Sequence, residues 1–112
     1  MSSPLVISHR TQMGTMPENS LEGIEAAIHS GVDGIEIDVR QTADGEIVLM
    51  HDASLLRMTG FDAKLKDLTV QELSQYQLIS THSENSSIRV PTLREVLHLI
   101  DSTQSQNEYT FF

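Results

Sequence analysis

The chain has no cysteine. That removes disulfides, zinc–thiolate centres and cysteine nucleophiles at once. Cations are scarce: 7 Lys and Arg stand against 16 Asp and Glu, for a formal net charge of −9. Nucleic acid and anionic membranes both demand a basic face, so neither is expected as the main partner. An anionic small molecule stays open, because one arginine or one metal ion can reverse the field locally. Long apolar runs are missing too. The apolar residues 5–7 fall far short of a bilayer span. Met1-Ser2-Ser3-Pro4 offers neither the basic start nor the apolar stretch of a signal peptide. The chain reads as soluble and cytoplasmic, without membrane insertion. Its 112 residues correspond to one small domain.

What is present is strongly patterned. Leu5-Val6-Ile7-Ser8 has the β-branched apolar character of a buried strand. Asn19, with Glu22 three residues on, predicts a capped helix start. Leu21, Ile24, Ala27 and Ile28 fall on one face of that helix, and Gly31 suits its left-handed end. Residues 34–40 alternate, with Ile35, Ile37 and Val39 opposite Glu36, Asp38 and Arg40, which predicts a strand. Asp44-Gly45 is a tight-turn signal. Ile47-Val48-Leu49-Met50 predicts a further strand ending at His51-Asp52. Residues 53–68 read as loop. Thr69 with Glu72 forms a capping box for a short helix to near Tyr76. Residues 80–87 read as a polar loop. Thr92 with Glu95 caps a helix whose apolar stripe is Leu93, Val96, Leu97 and Ile100. Tyr109-Thr110-Phe111-Phe112 predicts the first residues of a strand.

Strand, helix, strand, strand, helix, helix, strand is an α/β order. A closed eight-stranded barrel takes about 250 residues, so this chain supplies at most the first portion of one. Its stop within an apolar strand reads as a truncated sequence.

Chemistry-bearing residues gather at the ends of the apolar runs, where parallel α/β scaffolds present their sites. Glu36 and Asp38, two apart on one strand, share a face. Two carboxylates together call for a cation, and a hard divalent ion takes oxygen ligands. The same alternation also fits a solvated strand face, which is where alternating acids usually sit. With Asp44-Gly45 as a two-residue hairpin turn, Asp38 falls opposite His51, although Ile47 and Leu49 then share the side of His51. His9 and Arg10 follow the first strand. A guanidinium suits phosphate oxygens, and two histidines flanking a phosphodiester make a workable acid–base pair. His29, His82 and His98 are assigned no chemistry.

These motifs, taken in order, resemble the glycerophosphodiester phosphodiesterase family. The series is His9-Arg10, Pro17-Glu18-Asn19-Ser20, Asp33 to Val39 around Glu36 and Asp38, Asp44-Gly45 and His51-Asp52. Arg57-Met58-Thr59-Gly60, Asp67-Leu68-Thr69 with Glu72-Leu73, and Val90-Pro91-Thr92-Leu93 with Glu95-Val96-Leu97 continue it. The resemblance implies that residues 1–112 are the N-terminal part of a single distorted (β/α)₈ barrel domain. It implies hydrolysis of glycerophosphodiesters to an alcohol and glycerol 3-phosphate. His9 and His51 would be the general base and acid, Arg10 the phosphoryl contact, and Glu36 and Asp38 two ligands of calcium or magnesium. The family's third acidic ligand lies on the next barrel strand, beyond Phe112. The 112 residues alone are therefore expected to show little or no turnover. Thr11 replaces the glycine that follows His-Arg in the family, which favours the alternative of a non-catalytic or regulatory barrel fragment. A metal hydrolase of the amidohydrolase type is disfavoured, because no His-x-His pair follows a strand.

Overall fold

The structure, a computed structural model, describes residues 7–8, 17–79, 88–103 and 110–111. His9, Arg10, Thr11 and the loop expected over 80–87 lie outside the described residues. The architecture is α/β. Strand β1 (Ile7–Ser8) leads through helix α1 (Leu21–His29) to β2 (Gly34–Ile35). Strands β3 (Val39–Gln41) and β4 (Ile47–Leu49) follow. Short helices α2 (Leu56–Thr59) and α3 (Val70–Leu73) flank a 3₁₀ turn at Leu65–Asp67. Helix α4 (Leu93–Thr103) precedes β5 (Thr110–Phe111). The segment expected to be loop over 53–68 thus contains one helical turn and one 3₁₀ turn, because Leu55, Met58 and Leu65 are pulled into a core.

Two sheets share the chain. β1, β2 and β5 pair in parallel in the order β1-β2-β5, with Ile7 beside Gly34 and Gly34 beside Thr110. Parallel neighbours need long crossovers; α1 supplies the first, and everything from β3 to α4 lies within the second. β3 and β4 form a separate antiparallel hairpin. The single strand expected over 34–40 is therefore broken. Ile35 closes its part of the parallel sheet, Val39 opens the hairpin, and Glu36-Ile37-Asp38 joins the two.

The hairpin register also differs from expectation. Val39 pairs with Leu49 and Gln41 with Ile47, and the Met50 N–H donates to the Asp38 carbonyl at 3.0 Å. Asp38 is thus opposite Met50, not His51. The turn is one residue longer than a two-residue loop. Thr42 and Glu46 close it, with the Thr42 N–H on the Glu46 carbonyl at 2.9 Å and the Gly45 N–H on the Thr42 carbonyl at 3.1 Å. Gly45 has φ 85°, the left-handed conformation that ends a three-residue hairpin loop.

β4 divides two cores because successive residues on a strand point to opposite faces. Leu49 packs with Ile24, Ala27 and Ile28 of α1, Ile35 of β2, and Val96 and Ile100 of α4. Val48 and Met50 face the other way, toward Leu55, Leu65 and Leu73. On α4 one member of the expected stripe differs: Leu97 is exposed, while Leu99 packs against the core beside Val96 and Ile100. The capping boxes at Thr69–Glu72 and Thr92–Glu95 form as expected. Among the described residues no helix is long and apolar enough to cross a membrane.

Candidate active site

Just before α1 the chain carries two buried polar residues, Glu18 and Asn19. Asn19 was expected to cap α1. Ser20 does so instead: its hydroxyl accepts the Gly23 N–H at 3.0 Å and donates to the Pro17 carbonyl at 2.7 Å. Asn19 is turned into the left-handed region, with φ 52°, a conformation that asparagine tolerates better than most residues. Its side chain is spent on Asp38. The amide Nδ2 donates to Asp38 Oδ2 at 3.0 Å, and Oδ1 accepts the Asp38 N–H at 3.1 Å. One buried amide therefore fixes both the main chain and the carboxylate of Asp38.

Glu36 and Asp38 are both half-buried in the segment that crosses from one sheet to the other. This pair offers hard oxygen donors, and Asn19 holds Asp38 Oδ2 in a defined place. That donor set fits two ligands of a divalent cation such as calcium or magnesium. Among the described residues, no group of three or more His, Cys, Asp or Glu is gathered to hold a metal ion.

His51 follows β4, where the chain has left the ladder and bends. Its position is therefore not set by strand alternation, and the conflict with Ile47 and Leu49 disappears. Arg40 and Asp52 hold it. Arg40 forks onto the His51 carbonyl, with Nε at 3.0 Å and Nη2 at 2.8 Å. The ring Nδ1 lies 2.9 Å from Asp52 Oδ1. Asp52 is in turn gripped by Arg57 of α2, Nε on Oδ2 at 2.8 Å and Nη2 on Oδ1 at 3.1 Å. The same guanidinium clasps Glu18, Nη1 on Oε1 at 2.9 Å and Nη2 on Oε2 at 2.8 Å. Arg57, and to a lesser degree His51, hold the Asp52 carboxyl well below the usual carboxylate range, against a smaller opposing effect of burial. Glu18 first and Asp52 second push Arg57 further above its already high value.

Glu18, Asn19 and His51 lie around one packing gap, too small to admit water, together with Leu49 and Met58. The residue that fixes Asp38 and the residue that anchors the His51 network are thus chain neighbours. His9 and Arg10 were expected at the same site and lie outside the described residues. His29 ends α1 on the surface and His98 is exposed on α4.

Sequence reasoning singled out Pro17-Glu18-Asn19 and Arg57-Met58-Thr59 as motifs but gave Glu18, Asp52 and Arg57 no task, and Asn19 only that of a helix cap. The available signal was the company they keep: a Glu-Asn pair before a helix and an acidic residue directly after a histidine. Their partners are distant in sequence, Glu18 with Arg57 and Asn19 with Asp38, and only folding brings them together.

Comparison with known proteins bears on this arrangement. The sequence matches the Glycerophosphoryl diester phosphodiesterase family over residues 9–110. A glycerophosphodiester phosphodiesterase of Bacillus altitudinis is 39% identical over 101 residues, 89% of this chain and 41% of that protein. One from Caldanaerobacter subterraneus is 38% identical over 97 residues, 86% of this chain and 40% of that protein. An Oleispira antarctica phosphodiesterase, solved in complex with the product sn-glycerol-3-phosphate, has a TM-score of 0.81 at 31% identity, covering 97% of this chain and 44% of that one. The chain spans about two fifths of the length of the curated relatives it matches.

Proposed function

The chain belongs to the glycerophosphoryl diester phosphodiesterase family, and we propose that it supplies the first part of a barrel that hydrolyses glycerophosphodiesters to an alcohol and glycerol 3-phosphate. The observation that carries the proposal is the family match over residues 9–110, which includes His9, Arg10, Glu36, Asp38 and His51. The product-bound relative, 31% identical over almost the whole chain, supports the same chemistry. The parallel β1-β2-β5 sheet agrees with the start of a (β/α)₈ barrel. Such a reaction belongs to glycerophospholipid breakdown. We assign it a cytoplasmic setting.

Each residue then has a task. Glu36 and Asp38 would hold a divalent cation, calcium or magnesium, with Asn19 orienting Asp38. That cation, when bound, offsets charge developing on the phosphoryl oxygens. Arg10 contacts the phosphoryl group through its planar fork. In the proposed route the glycerol hydroxyl of the substrate attacks phosphorus. One of His9 and His51 takes that hydroxyl proton, and the other protonates the departing alcohol oxygen. Water then opens the cyclic phosphate, with the two histidines exchanging roles, to give glycerol 3-phosphate.

The test is release of glycerol 3-phosphate from glycerophosphocholine with added calcium or magnesium. It is run on the 112 residues and on a chain extended to the length of the relatives. We expect turnover from the extended chain, abolished by His9→Ala and by His51→Ala, and little or none from the 112 residues. An extended, folded chain that releases nothing contradicts the proposal.

A further inference from the structure

Arg57 engages more carboxylate than a surface arginine needs to. Its guanidinium, 47% exposed, makes four hydrogen bonds to two carboxylates, and each carboxylate is held through both oxygens. One of those carboxylates, Asp52, touches the His51 ring. We propose that Arg57, anchored by Glu18, is a positioning residue for His51: it locks Asp52 so that the ring keeps its proton on Nδ1 and carries its basic lone pair on Nε2. The catalytic meaning of this rests on the phosphodiesterase reading; the geometry does not.

The reasoning runs through the direction of one hydrogen bond. Asp52 is an ionised carboxylate with Arg57 on both of its oxygens, and an ionised carboxylate only accepts. The hydrogen in the 2.9 Å contact between His51 Nδ1 and Asp52 Oδ1 therefore belongs to the ring. A neutral imidazole has one N–H, so Nε2 is the acceptor nitrogen. Without Arg57, Asp52 loses the clasp on both of its oxygens, and its hold on the ring nitrogen weakens. Glu18 completes the device from the other side. It is 8% exposed, so its fork with Arg57 is sheltered and sets the plane of the guanidinium. Arg40 grips the His51 carbonyl independently, so main chain and ring are held by separate arginines. Acid–base work demands that the same nitrogen face the substrate each time, and a partner on the opposite nitrogen enforces that.

Nitrogen-15 NMR of the His51 ring in the labelled 112-residue chain reads the tautomer directly, at pH ~8.5, above the ordinary imidazole range. The Nδ1–H form is expected to dominate in the unaltered chain. Arg57→Met should lower the ratio of Nδ1–H to Nε2–H about fivefold, equivalent to about 1 kcal/mol. Arg57→Lys, which keeps charge but loses the fork, should fall between the two. The amide spectrum reports whether each variant is folded. If Arg57→Met does not fold, Glu18→Gln is read by the same criterion, since it keeps shape and removes the anchoring charge. A dominant Nε2–H form in the unaltered chain, or an unchanged ratio in the folded variant, overturns the inference. Failure of the phosphodiesterase reading looks different: no release of glycerol 3-phosphate, with the ring tautomer and its dependence on Arg57 intact.

Discussion

Replacing Asn19 isolates the contact that fixes the acidic pair. The side chain is 2% exposed and makes two hydrogen bonds to Asp38, one to its carboxylate and one to its N–H. Asn19→Ala removes both. The bond to a charged acceptor is worth about 2 kcal/mol and the bond to the neutral N–H about 1 kcal/mol. Alanine at φ 52° adds about 1 kcal/mol of backbone strain. The expected loss is about 4 kcal/mol, a large share of the 5–15 kcal/mol typical of a domain. Asn19→Gly loses the same bonds without the strain, so it should be about 1 kcal/mol more stable than Asn19→Ala. Urea unfolding of the three proteins, followed by circular dichroism at neutral pH, measures both differences. A loss below about 1 kcal/mol in Asn19→Ala, or a glycine variant no better than the alanine one, refutes the role given to Asn19.

Arg57→Met takes the guanidinium fork away from the sheltered Glu18 carboxylate, and the partial exposure of Arg57 limits the cost to about 2 kcal/mol at neutral pH. Because Asp52 is held below its unfolded value, its contribution is complete above about pH 4 and is lost as pH falls through the folded value. The gap in urea midpoint between this variant and the unaltered chain should therefore narrow from pH 7 to pH 3. Leu49 is 1% exposed between α1 and α4; Leu49→Ala should cost about 3 kcal/mol in urea unfolding. Glu36→Gln removes one charged ligand and should raise the calcium or magnesium concentration needed for half-maximal response, read by calorimetric titration.

The local features were legible because their signals are local. The Thr69–Glu72 and Thr92–Glu95 capping boxes and the left-handed Gly31 involve residues within a few positions, and each is found where its pattern predicts. Asp44-Gly45 announced a hairpin, but not its register. The Thr42 hydroxyl donates to the Asp44 carboxylate, and Val70 of α3 donates to the same group at 3.1 Å, so the turn is shaped partly by a helix 26 residues away. The alternation over residues 34–40 did not reveal the break: Gly34 and Ile35 are both buried, while Val39, Arg40 and Gln41 are all exposed, so the two expected faces do not survive it. Asn19 and Ser20 are both good helix caps; the choice between them was made by Asp38, out of reach of any local pattern. Glu36, Asp38 and His51 were visible as motifs. The clamps that orient Asp38 and His51 were not, since Asn19, Glu18 and Arg57 take their meaning from contacts across the fold.

At the centre is the claim that residues 9, 10, 36, 38 and 51 surround one cation. Manganese, another hard divalent ion with oxygen preference, broadens NMR signals near wherever it sits. Adding it in small amounts to the labelled chain should broaden the amides of Glu36 and Asp38 first, then those of His9, Arg10 and His51. Broadening centred instead on other acidic residues such as Asp62 and Asp67, with positions 36, 38 and 51 unaffected, contradicts the claim.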